Sequence, residues 1–114
     1  MPEDHAAQLK ARMRLDLKEA MKGKRAEEIA VLRVLLAAID NAEAPAIGSA
    51  PLQVSGLSNE VERLALSPQQ LDAILAAELH DREQTAAQLA PMGQAGRAEA
   101  LLREAEIVRR YCSA

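Results

Sequence analysis

The chain is 114 residues long and 49% hydrophobic, yet it holds one Tyr and neither Phe nor Trp, so aliphatic side chains must do the packing. A core of strong helix formers, in a chain long enough to bury about two thirds of its unfolded surface, points to a single all-α domain and away from sheet-rich folds. The formal net charge of -3 excludes a molecule drawn as a whole to nucleic acid or acidic lipid.

The opening "MPEDHAAQLK" is acidic and polar, unlike a secretory signal, and no apolar run reaches the length of a membrane span. A cytoplasmic protein without membrane partners is expected. From about residue 5 to 22, Ala6, Leu9, Met13, Leu17, Ala20 and Met21 recur at helical spacing, and Gly23 follows as a stop. A second helix is predicted from Ala26 to Glu43, striped by Ile29, Leu32, Leu36 and Ile39 and widened by Val31 and Leu35. The short break between the two predicts an antiparallel hairpin.

The pattern then fails. Residues 44 to 56, "APAIGSAPLQVSG", carry Pro45, Gly48, Pro51 and Gly56, which is loop chemistry. Ile47, Leu52 and Val54 either dock on the core or form a short extended piece. Residues 59 to 66, "NEVERLAL", predict a short helix with Asn59 as cap and Glu62 three positions on. "SPQQL" is a stronger start, with Ser67 as N-cap, Pro68 at the first helical position and Gln70 completing a capping box. That helix should run to about residue 90, where Pro91 and Gly93 end it. The last helix is expected from residue 96 or 97 to about 111, with Leu101, Leu102, Ala105 and Val108 inward. Together these predict one domain over residues 1–114, a bundle of four to five helices with an irregular Pro/Gly-containing segment in the middle. Cys112 is the sole cysteine and excludes an internal disulfide framework.

Signals of catalysis are sparse. His5 and His80 lie in separate helices with no Cys at ligand spacing, and Glu78, Asp81 and Glu83 around His80 point in different directions, so no metal site is expected. "GQAG" at 93 to 96 lies between two helices and "SGLS" at 55 to 58 lacks a strand-turn-helix setting, so neither is a phosphate loop or nucleophile elbow. No cofactor and no catalytic residue are assigned. Continuing the apolar stripe Leu71, Ile74, Leu75 along the third helix lands on Glu78 and Arg82, four apart in the favourable order. They form either an internal ion pair that pins helix packing or a polar patch in a groove. Arg33, beside the stripe of the second helix, reaches either a carboxylate on a neighbouring helix or a phosphate outside.

"LKEAMKGK" and "VLRVLLAAIDNAE", then Glu78 with Arg82, then "AGRAEALLREAEIVRRY" resemble the YqeY-like proteins, relatives of the C-terminal region of the B subunit of the tRNA-dependent Glu/Asp amidotransferase. The resemblance spans about residues 9 to 43 and 68 to 111. At the matching positions stand Lys22, Lys24, Arg33, Asn41, Glu43, Glu78, Arg82, Gly96, Arg97 and Tyr111. It implies a helical domain associated with tRNA, within a setting of carbon-nitrogen ligation that uses glutamine as amido donor, and not catalytic by itself. Two departures stand out. Family members continue through Tyr-Leu-Pro into a small tail domain, whereas Tyr111 is followed here by Cys-Ser-Ala, and segment 44 to 66 is longer than the usual connection.

The cations are unevenly spread. Residues 10 to 25 hold Lys10, Arg12, Arg14, Lys18, Lys22, Lys24 and Arg25 against Asp16 and Glu19, which leaves the rest of the chain acidic. Lys10, Arg14, Lys18 and Lys22 stand four apart, a helical spacing at which like charges repel. Two readings follow. Acidic residues of the last helix (Glu99, Glu104, Glu106) and the third (Asp72, Asp81, Glu83) cover the stripe, or solvent does. Alternatively Lys10, Arg14, Lys18, Lys22, Lys24, Arg25 and Arg33 face phosphates. Under the second reading the partner is tRNA, read through its backbone because rings for stacking are lacking. The rival partner is another protein, or a second copy of the chain, on an aliphatic groove.

Overall fold

The computed structural model describes residues 4–45 and 64–113. Among them are four α-helices and no strand: α1 (His5–Lys22), α2 (Ala26–Glu43), α3 (Pro68–Leu89) and α4 (Ala95–Arg109), with a 3₁₀ turn (Ala90–Met92) between the last two. This is the all-α bundle expected from composition. α1 packs chiefly on α2 and α3 on α4, and the two hairpins combine into a body of 54 × 30 × 27 Å. None of the described helices is long and apolar enough to cross a membrane.

Local chemistry accounts for the helix ends. Asp4 caps α1 by accepting from the backbone N–H of Ala7 at 3.0 Å. Ser67 and Gln70 form the reciprocal capping box, with bonds of 3.0 and 2.8 Å, and Pro68 occupies the first helical position where its missing N–H costs nothing. At the end of α1 the N–H of Arg25 reaches the carbonyl of Ala20 and that of Lys24 reaches Met21, the paired bonds of a Schellman cap. The left-handed position in that cap falls on Lys24 (φ 56°), one residue past the glycine that the sequence marks as the stop. Gly23 itself is right-handed, and a Cβ there would collide with the guanidinium of Arg25.

Met13, Val31, Leu32, Leu35, Ile39, Leu75 and Val108 are fully buried and form the centre of the core, each worth about 1.5–3 kcal/mol of burial. Ala6, Ala20 and Leu71 extend it, and Leu9, Leu17, Ile29 and Leu36 close its edges. Three expectations are corrected. Met21, read as part of the inner stripe of α1, is 51% exposed, because it lies at the outer margin of the seam with α2. Leu102 is 48% exposed, while Ile107 and Ala98 take the inner positions of α4, whose first residue is Ala95 and not Gly96. Of the helix expected over residues 59 to 66, the described residues 64–66 are non-helical and the rest lies outside the described residues, as do Ile47, Leu52 and Val54.

Candidate nucleic-acid interface

The cations of α1 divide by their angle around the helix. Lys10 is not part of an exposed stripe: it is buried at 8% exposure, where its ammonium pairs with Glu43 and, at 3.1 Å, with Asp40 of α2. This corrects the expectation that Lys10 faces a phosphate. Burial alone would lower its pKa, but the hydrogen bonds it donates to Glu43 and Asp40 and their negative charge prevail and raise it.

A step of four residues turns an α-helix by about 40° beyond a full turn. Arg14 and Lys18 therefore rotate progressively off the seam that Lys10 occupies, and both are exposed. Arg33 lies on α2 seven positions before Asp40, hence on the same stripe, and is exposed as well. Because the helices are antiparallel and Lys10 meets Asp40 and Glu43, Arg33 lies level with residues 17 to 20 of α1. Arg14 and Lys18 on one side and Arg33 on the other thus flank the seam on one face of the hairpin. Among the described residues no carboxylate pairs with any of the three, nor with Lys24. At the turn end of the same hairpin, Lys22 is 3.8 Å from Glu19 and Arg25 is 3.5 Å from Glu28, both solvent-facing cations.

The acidic helices do not cover this face. Glu104 pairs with Arg82 at 3.0 Å, Glu83 and Glu106 with Arg109 at 2.6 and 3.4 Å, and Asp72 accepts from Ser113 at 2.8 Å. Glu104, Glu83 and Glu106 are thus engaged by cations of α3 and α4 and not by those of α1. The opposite side of α1 is the one that meets Arg110 and Tyr111, the residues that follow α4. There Arg12 lies 4.8 Å above the Tyr111 ring and donates to the carbonyl of Arg110 at 3.2 Å, and the Tyr111 hydroxyl donates to Asp16 at 2.5 Å.

Glu78 and Arg82 meet as an internal pair at 2.8 Å, and Arg82 also bonds Glu104 and the Glu78 carbonyl, each at 3.0 Å. They join α3 to α4 rather than line a groove. Two contacts carried no signal in the sequence, because their partners are far apart along the chain. One is the tether of Tyr111 to Asp16. The other is the fork of Arg103 on Glu27, with bonds of 2.9 to 3.2 Å.

Two clefts open on the described surface. One of about 280 Å³ lies between α1 and α3 beside Arg12, Asp72 and Tyr111, and one of about 550 Å³ lies between the start of α2 and α4 beside Arg25, Arg103 and Arg110. In both, most charges are already bonded to neighbours. Among the described residues no three His, Cys, Asp or Glu side chains converge as a metal site would require. No family model matches the chain, and no curated protein or solved structure matches it.

Proposed function

We propose that the chain is a non-catalytic helical module whose α1–α2 face binds nucleic-acid phosphates, with structured RNA of the tRNA type as its partner. The observation that carries this reading is the group Arg14, Lys18 and Arg33: exposed, on one face, and without a carboxylate partner among the described residues. Unneutralised cations at neighbouring positions raise one another's electrostatic energy, and a polyanion relieves it while releasing its counterions. Lys22, Lys24 and Arg25 extend the same field to the hairpin turn. The resemblance to YqeY-like proteins supports the choice of tRNA, and amidation by a partner enzyme is the setting it suggests.

The test is binding of total tRNA to the purified protein at two salt concentrations, beside the variant Arg14→Glu with Lys18→Glu. If three phosphates are neutralised, affinity falls about fortyfold between 50 and 200 mM salt. The reversed protein should keep its helicity and lose the binding. Retained tRNA affinity in that variant, or none in the parent at low salt, sinks the reading. Self-association or capture of another protein by the reversed variant would then favour an interaction module, for which the exposed Leu15, Met21 and Val34 on this hairpin are the candidate contacts.

A further inference from the structure

We infer that the cleft between α1 and α3, on the side of α1 away from the cation face, binds a small zwitterion: an α-amino acid with an aliphatic side chain.

Two opposite charges stand on its walls. Arg12 of α1 and Asp72 of α3 both line the cleft, and each is bonded to a residue that follows α4 rather than to the other. The guanidinium of Arg12 lies 4.8 Å from the centre of the Tyr111 ring, and its Nη2 donates to the carbonyl of Arg110 at 3.2 Å. Its Nη1 and Nε donors are left without a partner. Oδ1 of Asp72 accepts from the Ser113 hydroxyl at 2.8 Å, and Oδ2 is left over in the same way. Tyr111 is itself fixed, buried with its hydroxyl on Asp16. The two charges are therefore held apart in advance, each with spare hydrogen-bonding capacity, and this preorganisation lowers the ordering cost of binding.

That pattern of sign selects the ligand. A phosphate or a simple carboxylate on Arg12 would meet the negative charge of Asp72, and an amine on Asp72 would meet Arg12. A ligand with both an ammonium and a carboxylate satisfies the two walls at once, through charge-assisted hydrogen bonds. His5 and Gln8 stand three and seven residues apart from their neighbours on the Arg12 face of α1, border the same cleft and add polar groups beside the guanidinium.

Size and floor narrow the class. Leu9, Leu71 and Leu75 complete the lining, and all three belong to or pack against the core, so the floor is apolar and firm. The cleft measures about 280 Å³. At about 30 Å³ for each water in the liquid, that is room for about nine non-hydrogen atoms. Leucine is of that size, and a nucleotide is far larger. An apolar floor with a few convergent polar groups is the usual build of a small-molecule site.

The experiment follows backbone amide resonances of the whole chain during titration with leucine, with isocaproate, which lacks the ammonium, and with isoamylamine, which lacks the carboxylate. Leucine should give saturable shifts at Gln8, Leu71 and Ser113 and bind more tightly than either analogue, by about tenfold. Asp72→Asn, which keeps an acceptor for Ser113 and should leave the circular dichroism unchanged, should weaken leucine to the level of isocaproate while isocaproate binds no worse. Lys18→Glu, on the other side of α1, should leave leucine binding as it is. Isocaproate or inorganic phosphate binding as tightly as leucine would make the cleft an anion site and overturn the inference. So would undiminished leucine affinity in Asp72→Asn, or no saturable shift up to the solubility of leucine.

Discussion

Lys10 and Glu43, 33 positions apart, form an ion pair buried at the end of the hairpin where α1 begins and α2 stops, with side chains 10% and 6% exposed. Asp40 adds a second acceptor to the same ammonium. Breaking such a pair from one side is costlier than the pair is stabilising, because the remaining carboxylate stays desolvated. Lys10→Met should lower the unfolding free energy by about 3 kcal/mol, measured by chemical denaturation. Adding Glu43→Leu should return part of the loss. A single variant as stable as the parent would show that solvent or another group compensates the Glu43 charge.

Arg82 ties three acceptors on two helices, which a lysine cannot reproduce. Its fork bonds Glu78 and Glu104 while also reaching the Glu78 carbonyl. Arg82→Lys keeps the charge but loses the planar donors, and should cost about 1–2 kcal/mol. Arg82→Met, which leaves the two carboxylates facing each other, should cost about 3 kcal/mol and be relieved by a following Glu104→Gln. Equal stability of the lysine variant would reduce this contact to simple charge.

Lys24 carries a positive φ in the Schellman cap of α1, where glycine is the ordinary occupant. The left-handed conformation costs an L-residue roughly 1–2 kcal/mol, partly offset in a glycine variant by the greater freedom of its unfolded chain. Lys24→Gly should therefore raise the thermal midpoint, with a gain of about 0.5–1 kcal/mol. A lowered midpoint would show that the Lys24 side chain contributes something that its exposure conceals. Because the same change removes one cation of the basic face, its effect on RNA affinity can be read on a protein that folds at least as well as the parent.

Alkaline pH should destabilise the protein through Tyr111 and Lys10. Burial raises the Tyr111 hydroxyl above its ordinary value of 10.0, and the hydrogen bond to Asp16 and its charge raise it further against the opposing charge of Arg12. Lys10 is raised above 10.5. A group whose folded pKa is raised contributes stability that is fully present below its unfolded value and is lost as pH rises through the folded one. The expected window therefore opens near pH 10, and unfolding above it should be steep. Tyr111 is the only phenol, so phenolate absorbance reports on it alone. Phenolate should stay absent at pH 10 while helicity persists and emerge together with the loss of helicity. A phenolate midpoint near 10 in a fully helical protein would place the hydroxyl in water.

The helices were legible because their signals are local. The Ser67 capping box, the apolar recurrence in α1 and α2, and the Glu78–Arg82 pair at four-residue spacing each depend on residues within a turn or two of one another. The cation stripe was legible as a sequence pattern but not in its exposure. Lys10 and Lys18 occupy equivalent places in a four-residue repeat, yet they differ by about 80° around α1. Only the side on which α2 packs decides that one is buried against Glu43 and the other faces solvent. Met21 and Leu102 were misjudged for the same reason: hydrophobicity marks a helix face in general, and a neighbour's position decides where that face ends.

Composition, periodicity and caps, read from the sequence alone, determined an aliphatic all-α chain, its helical hairpin, the bounds of its helices to within about two residues and the polarisation of its charge. Such features rest on interactions between residues near in sequence, whose geometry follows from the helix itself. The tertiary structure alone decided which cations are consumed inside the molecule. Lys10 is spent on Asp40 and Glu43, Arg82 on Glu104, Arg12 on Tyr111, and Arg14, Lys18 and Arg33 are left facing outward together. That division depends on contacts between residues tens of positions apart, which exist only once the helices have packed.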